Sequence, residues 1–161
     1  MGDIPDIKIR DATYDDIKTI ATLLIEGDRI HHEAQPQVFS NNTDFRSDEL
    51  LTDFIEDPQK KIIIAEIDGS VVGAVLLLVR RSPDIPIMVK RRWLEVENLI
   101  VHQNHQRHGI ATILMQKAEE WGRGQDIEWI ELSVWKFNRS AIDLYDHLGF
   151  DVVLQRMRKK I

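Results

Sequence analysis

The chain contains no cysteine among its 161 residues. Disulfide bridges, thiolate nucleophiles and cysteine-based metal sites are excluded from the outset. A long apolar run is missing as well. The longest, Val71 to Val79, is interrupted by Gly73 and falls well short of the ~20 residues that cross a bilayer. Met1-Gly2-Asp3 has neither the charged start nor the apolar stretch of a signal peptide, so a cytoplasmic protein without membrane contact is the expectation. Positive charge is in deficit, with 21 Lys and Arg against 27 Asp and Glu and a net charge of −6. That balance argues against nucleic-acid partners, which call for a basic face. Two phosphate-binding signatures are absent too. There is no G-x-x-x-x-G-K-S/T loop, and no G-x-G-x-x-G follows the first expected strand. No internal repeat or low-complexity linker divides the chain.

What is present is 43% hydrophobic residues, enough for one domain over residues 1–161 with a sizeable core. Ile7 to Arg10 reads as a strand. Thr13, with Asp16 three residues on, reads as a helix cap. Ile17, Ile20, Leu23 and Leu24 then form an apolar stripe that carries a helix to about Arg29. His31 to Thr43, polar and carrying Pro36, reads as a loop or a broken helix, and Ser47 to Ile55 as a second helix. Lys61 to Ile67 and Val71 to Val79 are β-branched runs joined by Asp68-Gly69, a strong hairpin signal. Arg80 to Lys90 reads as a proline-bearing loop and Trp93 to Val101 as the next strand. A helix over Gly109 to Arg123, a strand over Trp129 to Trp135, a helix over Ser140 to Leu148 and a strand over Phe150 to Met157 complete the order βααβββαβαβ. This predicts an α/β sandwich with a mixed, mostly antiparallel sheet of six to seven strands and helices on both faces.

Between strand Trp93–Val101 and the following helix lies His102-Gln103-Asn104-His105-Gln106-Arg107-His108-Gly109-Ile110-Ala111. A helix N-terminus offers unpaired N–H groups and a partial positive charge, which suits phosphate. Gly109 and Ala111 allow the backbone to approach a ligand closely. On geometry alone, Gly109 serves equally well as a glycine that eases a strand-to-helix turn.

Gln106-Arg107-His108-Gly109-Ile110-Ala111 resembles the Q/R-x-x-G-x-G/A motif of the GNAT superfamily of N-acetyltransferases. Asn138 to Phe150, reading NRSAIDLYDHLGF, resembles the family's N-x-x-A-x-x-L-Y-x-x-x-G-F segment at every fixed position. Leu99-Ile100-Val101 resembles the strand end that meets the pantetheine arm. These matches cover Trp93 to Phe150; the first ninety residues match only in general pattern. The resemblance implies the acyl-CoA N-acyltransferase fold, with acetyl-CoA as co-substrate and no metal. It implies a small-molecule or peptide amine as acceptor, and homodimerisation is common in the family. It also implies that Leu99, Ile100 and Val101 hold the pantetheine. Gln106, Arg107, His108, Gly109, Ile110, Ala111 and Thr112 would hold the pyrophosphate, and Asn138, Ala141 and Tyr145 would flank the cofactor arm. Arg107 departs from the pattern, since the family often places glycine there.

Acetyl transfer to an amine needs a base for the ammonium, whose pKa lies near ~10.4, and an acid for the departing thiolate. Tyr145 shares a helical face with Ala141 and Leu148. Spacing alone makes it an aromatic core residue, whereas the resemblance makes it the thiol-protonating acid. Glu95 and Glu97 stand on a strand expected to be central, where two carboxylates are costly to bury unless paired or used. Alternation places them on one face, so either is a candidate base, Glu97 being nearer the expected acetyl site. The competing reading is that this end of the strand opens into a wet cleft and both simply face solvent. The resemblance further implies a carbonyl-polarising N–H near Ile100, freed by a bulge that splays this strand from Trp129–Trp135.

His31 and Phe39 lie in the segment that, by the resemblance, lines the acceptor pocket; an exposed polar loop is the alternative. His102, His105 and His108 recur at every third position. They sit in a loop committed to the cofactor and have no acidic ligand cluster beside them, so no metal is assigned. The basic end, Arg156, Arg158, Lys159 and Lys160, reads as a solvated terminus, with a phosphate or dimer contact as the alternative. The functional expectation is direct attack of a primary amine on acetyl-CoA in a ternary complex. Its rivals are a non-catalytic acetyl-CoA-sensing module and the same enzyme with another acyl-CoA.

Overall fold

In the computed structural model, which describes residues 6–161, Asp68 and Gly69 both take positive φ, 50° and 76°. That is the geometry of the two-residue turn expected there, and it joins β2 (Lys60–Ile67) to β3 (Ser70–Arg81) as an antiparallel hairpin. β1 (Lys8–Asp11) pairs antiparallel with β2, and β4 (Arg92–Val101) pairs antiparallel with β3. A short β5 (Ile130–Leu132) adds parallel to β4, giving one sheet in the order β1-β2-β3-β4-β5. Met1 to Asp3, on which the absence of a signal peptide was read, lie outside the described residues.

The helices are α1 (Ile17–Ala34), α2 (Asp48–Glu56), α3 (Ile110–Gly124) and α4 (Arg139–His147). They lie on both faces of the sheet. β2 and β3 read as near-continuous apolar runs because each is covered on both sides. Ile63, Val75, Leu77, Leu94 and Val96 pack with Ile110, Leu114 and Met115 of α3. On the opposite face Ile62, Ile64, Leu76 and Leu78 pack with Ile20 and Leu24 of α1 and Leu51 and Phe54 of α2. Tyr145 of α4 joins the α3 side. Thr13 and Asp16 form the expected capping box, which closes a single 3-10 turn leading into α1.

Three expectations are corrected. The sheet has five strands among the described residues, not six or seven, because Phe150 to Met157 finds no strand to pair with and β5 keeps only three residues. α1 continues past Arg29 to Ala34, so His31 and His32 are helical; the helix stops where Pro36 bars helical geometry at Gln35 (φ −141°, ψ 63°). β3 runs on to Arg81, into the segment read as a loop.

Candidate active site

The pairing of β4 determines where the sheet opens. Leu76 faces Asn98 and Leu77 faces Val96, so Glu97 is an extra residue, a β-bulge. On its other edge β4 meets β5 only at Leu94, Glu95 and Val96, and the strands part beyond the bulge. His102 N–H donates to Val72 C=O at 2.8 Å, directed towards β3. Counting back by alternation, Ile100 also directs its N–H to β3, while Leu99 and Val101 direct theirs into the gap. By this count the open donors near Ile100 are those of its two neighbours, Leu99 and Val101. Val101's carbonyl is already occupied by Gln106 Nε2 at 3.0 Å, a bond that ties the loop 106–109 to the strand end.

That loop turns sharply. Arg107 has φ 63° and Gly109 φ 80°, both left-handed. Arg107 thus occupies a conformation that glycine adopts without strain, which accounts physically for glycine at this motif position. A Cβ built on Gly109 would meet nothing within 4 Å, so the space above the helix start is open. Ile113 N–H is bonded to Gly109 C=O at 3.1 Å, leaving Ile110, Ala111 and Thr112 as the N–H groups of the first turn. Gly73 lets this turn sit close to the sheet: a Cβ there would lie 3.1 Å from Ile100 O and 3.3 Å from the Ile110 and Leu114 side chains.

Tyr145 approaches from the α3 side. Burial alone pushes its hydroxyl up to about 12. Its ring lies 5.5 Å from that of Phe150. Asn138 caps α4, its Oδ1 accepting from Ala141 N–H at 3.3 Å. The motif asparagine and alanine are thereby joined by a bond within the helix start.

Glu95 and Glu97 stand on the other face. Glu95 is opposite Leu78 and accepts from Trp93 Nε1 at 2.8 Å. Glu97 is 38% exposed in its side chain and ion-paired with Arg80 at 3.0 Å, so it is neither deeply buried nor unpaired. The bulge carries it to the surface, which sequence alternation could not reveal. Beside it, Arg46 grips Asp28 of α1 through two hydrogen bonds, 2.6 and 2.7 Å, and reaches Asn98 Oδ1 at 3.3 Å. Only 9% of the Arg46 side chain is exposed. This nearly buried guanidinium pins the α1–α2 segment to β4 just after the bulge.

His31 and Phe39 are brought together, their rings 5.2 Å apart, and two residues not singled out from the sequence join them. Phe137 lies 5.5 Å from His31 and Trp135 lies 5.2 Å from Phe39. The spacing Trp135-x-Phe137 is the signal that could have found this pair, since alternate residues of an extended segment share a side. His31 Nδ1 and Gly27 O are 2.9 Å apart, and a Cβ on Gly27 would touch Ile100 at 3.2 Å. The aromatic group therefore stands one helical turn from the gap, on the glutamate side.

Comparisons with known proteins give the family and the fold. The sequence model described as Acetyltransferase (GNAT) family matches residues 27–150. An L-amino acid N-acetyltransferase of Escherichia coli (strain K12) is 30% identical over 132 residues, 74% of this chain and 72% of that protein. Among solved structures, a mutant of the BH1408 protein from Bacillus halodurans superimposes with a TM-score of 0.91 at 20% identity, over 96% of this chain and 99% of that one. The aminoglycoside N-acetyltransferase AAC(6')-Iy, in complex with a CoA-linked bisubstrate analogue, gives 0.75 at 14% identity, over 97% and 98%.

Proposed function

From the premise that this chain belongs to the acetyltransferase (GNAT) family, we propose that it is an acetyl-CoA-dependent N-acetyltransferase acting by direct attack of a primary amine. The observation that carries this reading is the gap between β4 and β5 beside a helix start that has room for a ligand. The fit to an acyl-CoA is chemical. Ile110, Ala111 and Thr112 offer N–H groups for the pyrophosphate, and Leu99 and Val101 offer N–H groups for the amide-bearing arm. Acetyl-CoA supplies the thioester that the amine attacks. Arg107, His108 and Gly109 shape the turn, and Gln106 fastens it to the strand end.

Tyr145 and the glutamates lie on opposite faces of the sheet, one on each side of the gap. A thioester threaded through the gap would have its sulfur towards the acid and its carbonyl towards the acceptor side. Tyr145 then donates its proton to the departing thiolate. Glu97, or Glu95 acting through water, takes the proton of the incoming ammonium. Leu99 or Val101 N–H polarises the carbonyl oxygen as negative charge develops. His31, Phe39, Trp135 and Phe137 form the wall where the acceptor amine enters. The relatives named for L-amino acids and aminoglycosides support a small-molecule amine as the class of acceptor.

Calorimetry with acetyl-CoA is the direct test. Binding at micromolar to sub-millimolar concentration is expected, followed by thiol release on addition of an amine panel. No binding at millimolar acetyl-CoA would sink the proposal, and binding without thiol release from any amine would favour a sensing module instead.

A further inference from the structure

Four aromatic side chains from three separate segments close a circuit on the acceptor side of the gap. His31 of α1 lies 5.2 Å from Phe39, and Phe39 lies 5.2 Å from Trp135. Trp135 lies 6.3 Å from Phe137, and Phe137 returns to within 5.5 Å of His31. Hydrogen bonds hold the backbone around these rings. A carbonyl can only accept, so His31 Nδ1 donates to Gly27 C=O at 2.9 Å and His32 Nδ1 donates to Phe39 C=O at 2.7 Å. Asn138 N–H donates to Trp135 C=O at 2.9 Å, which ties the circuit to the start of α4. Rings fixed in this way meet a ligand without losing much freedom of their own. His31, Phe39 and Phe137 are half-buried, whereas Trp135 keeps 40% of its surface exposed. The circuit therefore presents an aromatic face to solvent.

The carboxylates beside it already have partners. Asp28, next to Gly27, holds Arg46 at 2.6 and 2.7 Å. Glu97 holds Arg80 at 3.0 Å, and Glu95 accepts from Trp93 Nε1 at 2.8 Å. A polyamine or an aminosugar carries several ammonium groups, and each needs a carboxylate or another acceptor when it leaves water. These three carboxylates offer no such set. An aromatic ring has the opposite needs, gaining from apolar burial and from edge or offset contact with other rings.

We infer that the acceptor is a monoamine with an aromatic body, its ring seated against Trp135, Phe39 and Phe137 and its ammonium directed to the gap. The inference rests on the acetyl-transfer reading of that gap and narrows its acceptor class. The single ammonium goes to the glutamate side, where its proton is removed, and the ring is held by the circuit.

Calorimetric titration of amines into the chain, with and without CoA, reads this preference without requiring turnover. Phenethylamine should bind about tenfold or more tightly than n-butylamine, spermidine or neamine, the scale of discrimination that a fitted apolar pocket gives. Trp135→Ala should reduce the ratio of phenethylamine to n-butylamine affinity to about threefold or less, and Trp135→Phe should restore most of it. A purely structural role for Trp135 would weaken both amines together and leave the ratio intact, which would overturn the inference. So would spermidine or neamine binding as tightly as phenethylamine. Thiol release from acetyl-CoA distinguishes the two levels. No release from any amine, with the phenethylamine preference intact, would count against acetyl transfer alone. Release fastest with spermidine or neamine would count against the aromatic acceptor alone.

Discussion

Burial holds Tyr145 protonated far above neutrality, its hydroxyl pushed up to about 12 from the ordinary 10. A group with a raised folded pKa keeps its stability contribution below the ordinary value and loses it as pH rises through the folded one. Tyr145 should therefore remain a proton donor throughout the neutral range, and its burial should begin to destabilise the fold only between about pH 10 and 12. Tyr145→Phe keeps the ring packing and removes the proton. Its kcat should fall by about 100-fold or more, the scale of general acid catalysis, while calorimetry finds acetyl-CoA affinity nearly unchanged. Equal turnover in mutant and wild type would remove Tyr145 from the mechanism. Arg107 gives a second residue-scale prediction. At φ 63° a β-branched side chain is strained, so Arg107→Val should lower stability by about 1–2 kcal/mol in thermal melts, whereas Arg107→Gly should leave the melting temperature unchanged or raise it.

The decisive relation between elements is the seat of α3 on the sheet. Gly73 of β3 sits under the first turn of that helix, where a Cβ already approaches Ile100 O, Ile110 and Leu114 to 3.1–3.3 Å. Gly73→Val must push α3 away from β4 or distort the strand. A loss of about 1–3 kcal/mol is expected in denaturant titrations, the usual consequence of overpacking. Because the shift displaces the N–H groups of Ile110, Ala111 and Thr112 from Leu99 and Val101, acetyl-CoA affinity should fall along with stability. A variant that binds as tightly as wild type would mean that the cradle does not depend on this contact. Much at this scale was readable from spacing: the hairpin at Asp68-Gly69, the stripe of α1, the glycine-headed α3 and the helix over Ser140 to Leu148 all depend on neighbours within a few residues. The length of β5 did not, because it depends on where β4 turns away.

At the scale of the molecule, one ionic knot joins the start of the chain to the sheet. Arg10 donates to both carboxylate oxygens of Asp16 at 2.8 and 2.9 Å and to Glu66 at 2.9 Å. The Arg10 guanidinium lowers the Asp16 carboxyl to about 2, with burial opposing and the Thr13 N–H and hydroxyl adding to the effect. A depressed folded pKa gives stability that is present above the ordinary 3.8 and lost as pH falls towards 2. The knot should therefore contribute on the order of 2 kcal/mol at neutral pH, lost between about pH 4 and 2. Asp16→Asn should unfold earlier at neutral pH and show a flatter acid limb than wild type in that window. Identical acid limbs would assign the acid sensitivity to other carboxylates.

Sequence by itself was enough to specify what local chemistry controls: the element order through α4, the turn residues, the helix starts, and the segments Gln106–Ala111 and Asn138–Phe150 that carry the family resemblance. Tertiary structure alone decided the rest. Glu97 is a bulge residue only because of how β4 registers against β3, and that register places it on the surface with Arg80 instead of inside the sheet. His31 and Phe39 meet Trp135 and Phe137 across nearly a hundred residues of chain, and Arg46 finds Asp28 and Asn98 in the same way. The apolar run Val152-Val153-Leu154 is legible as strand-forming. A strand exists only when another edge pairs with it, so the segment's own residues cannot decide that outcome.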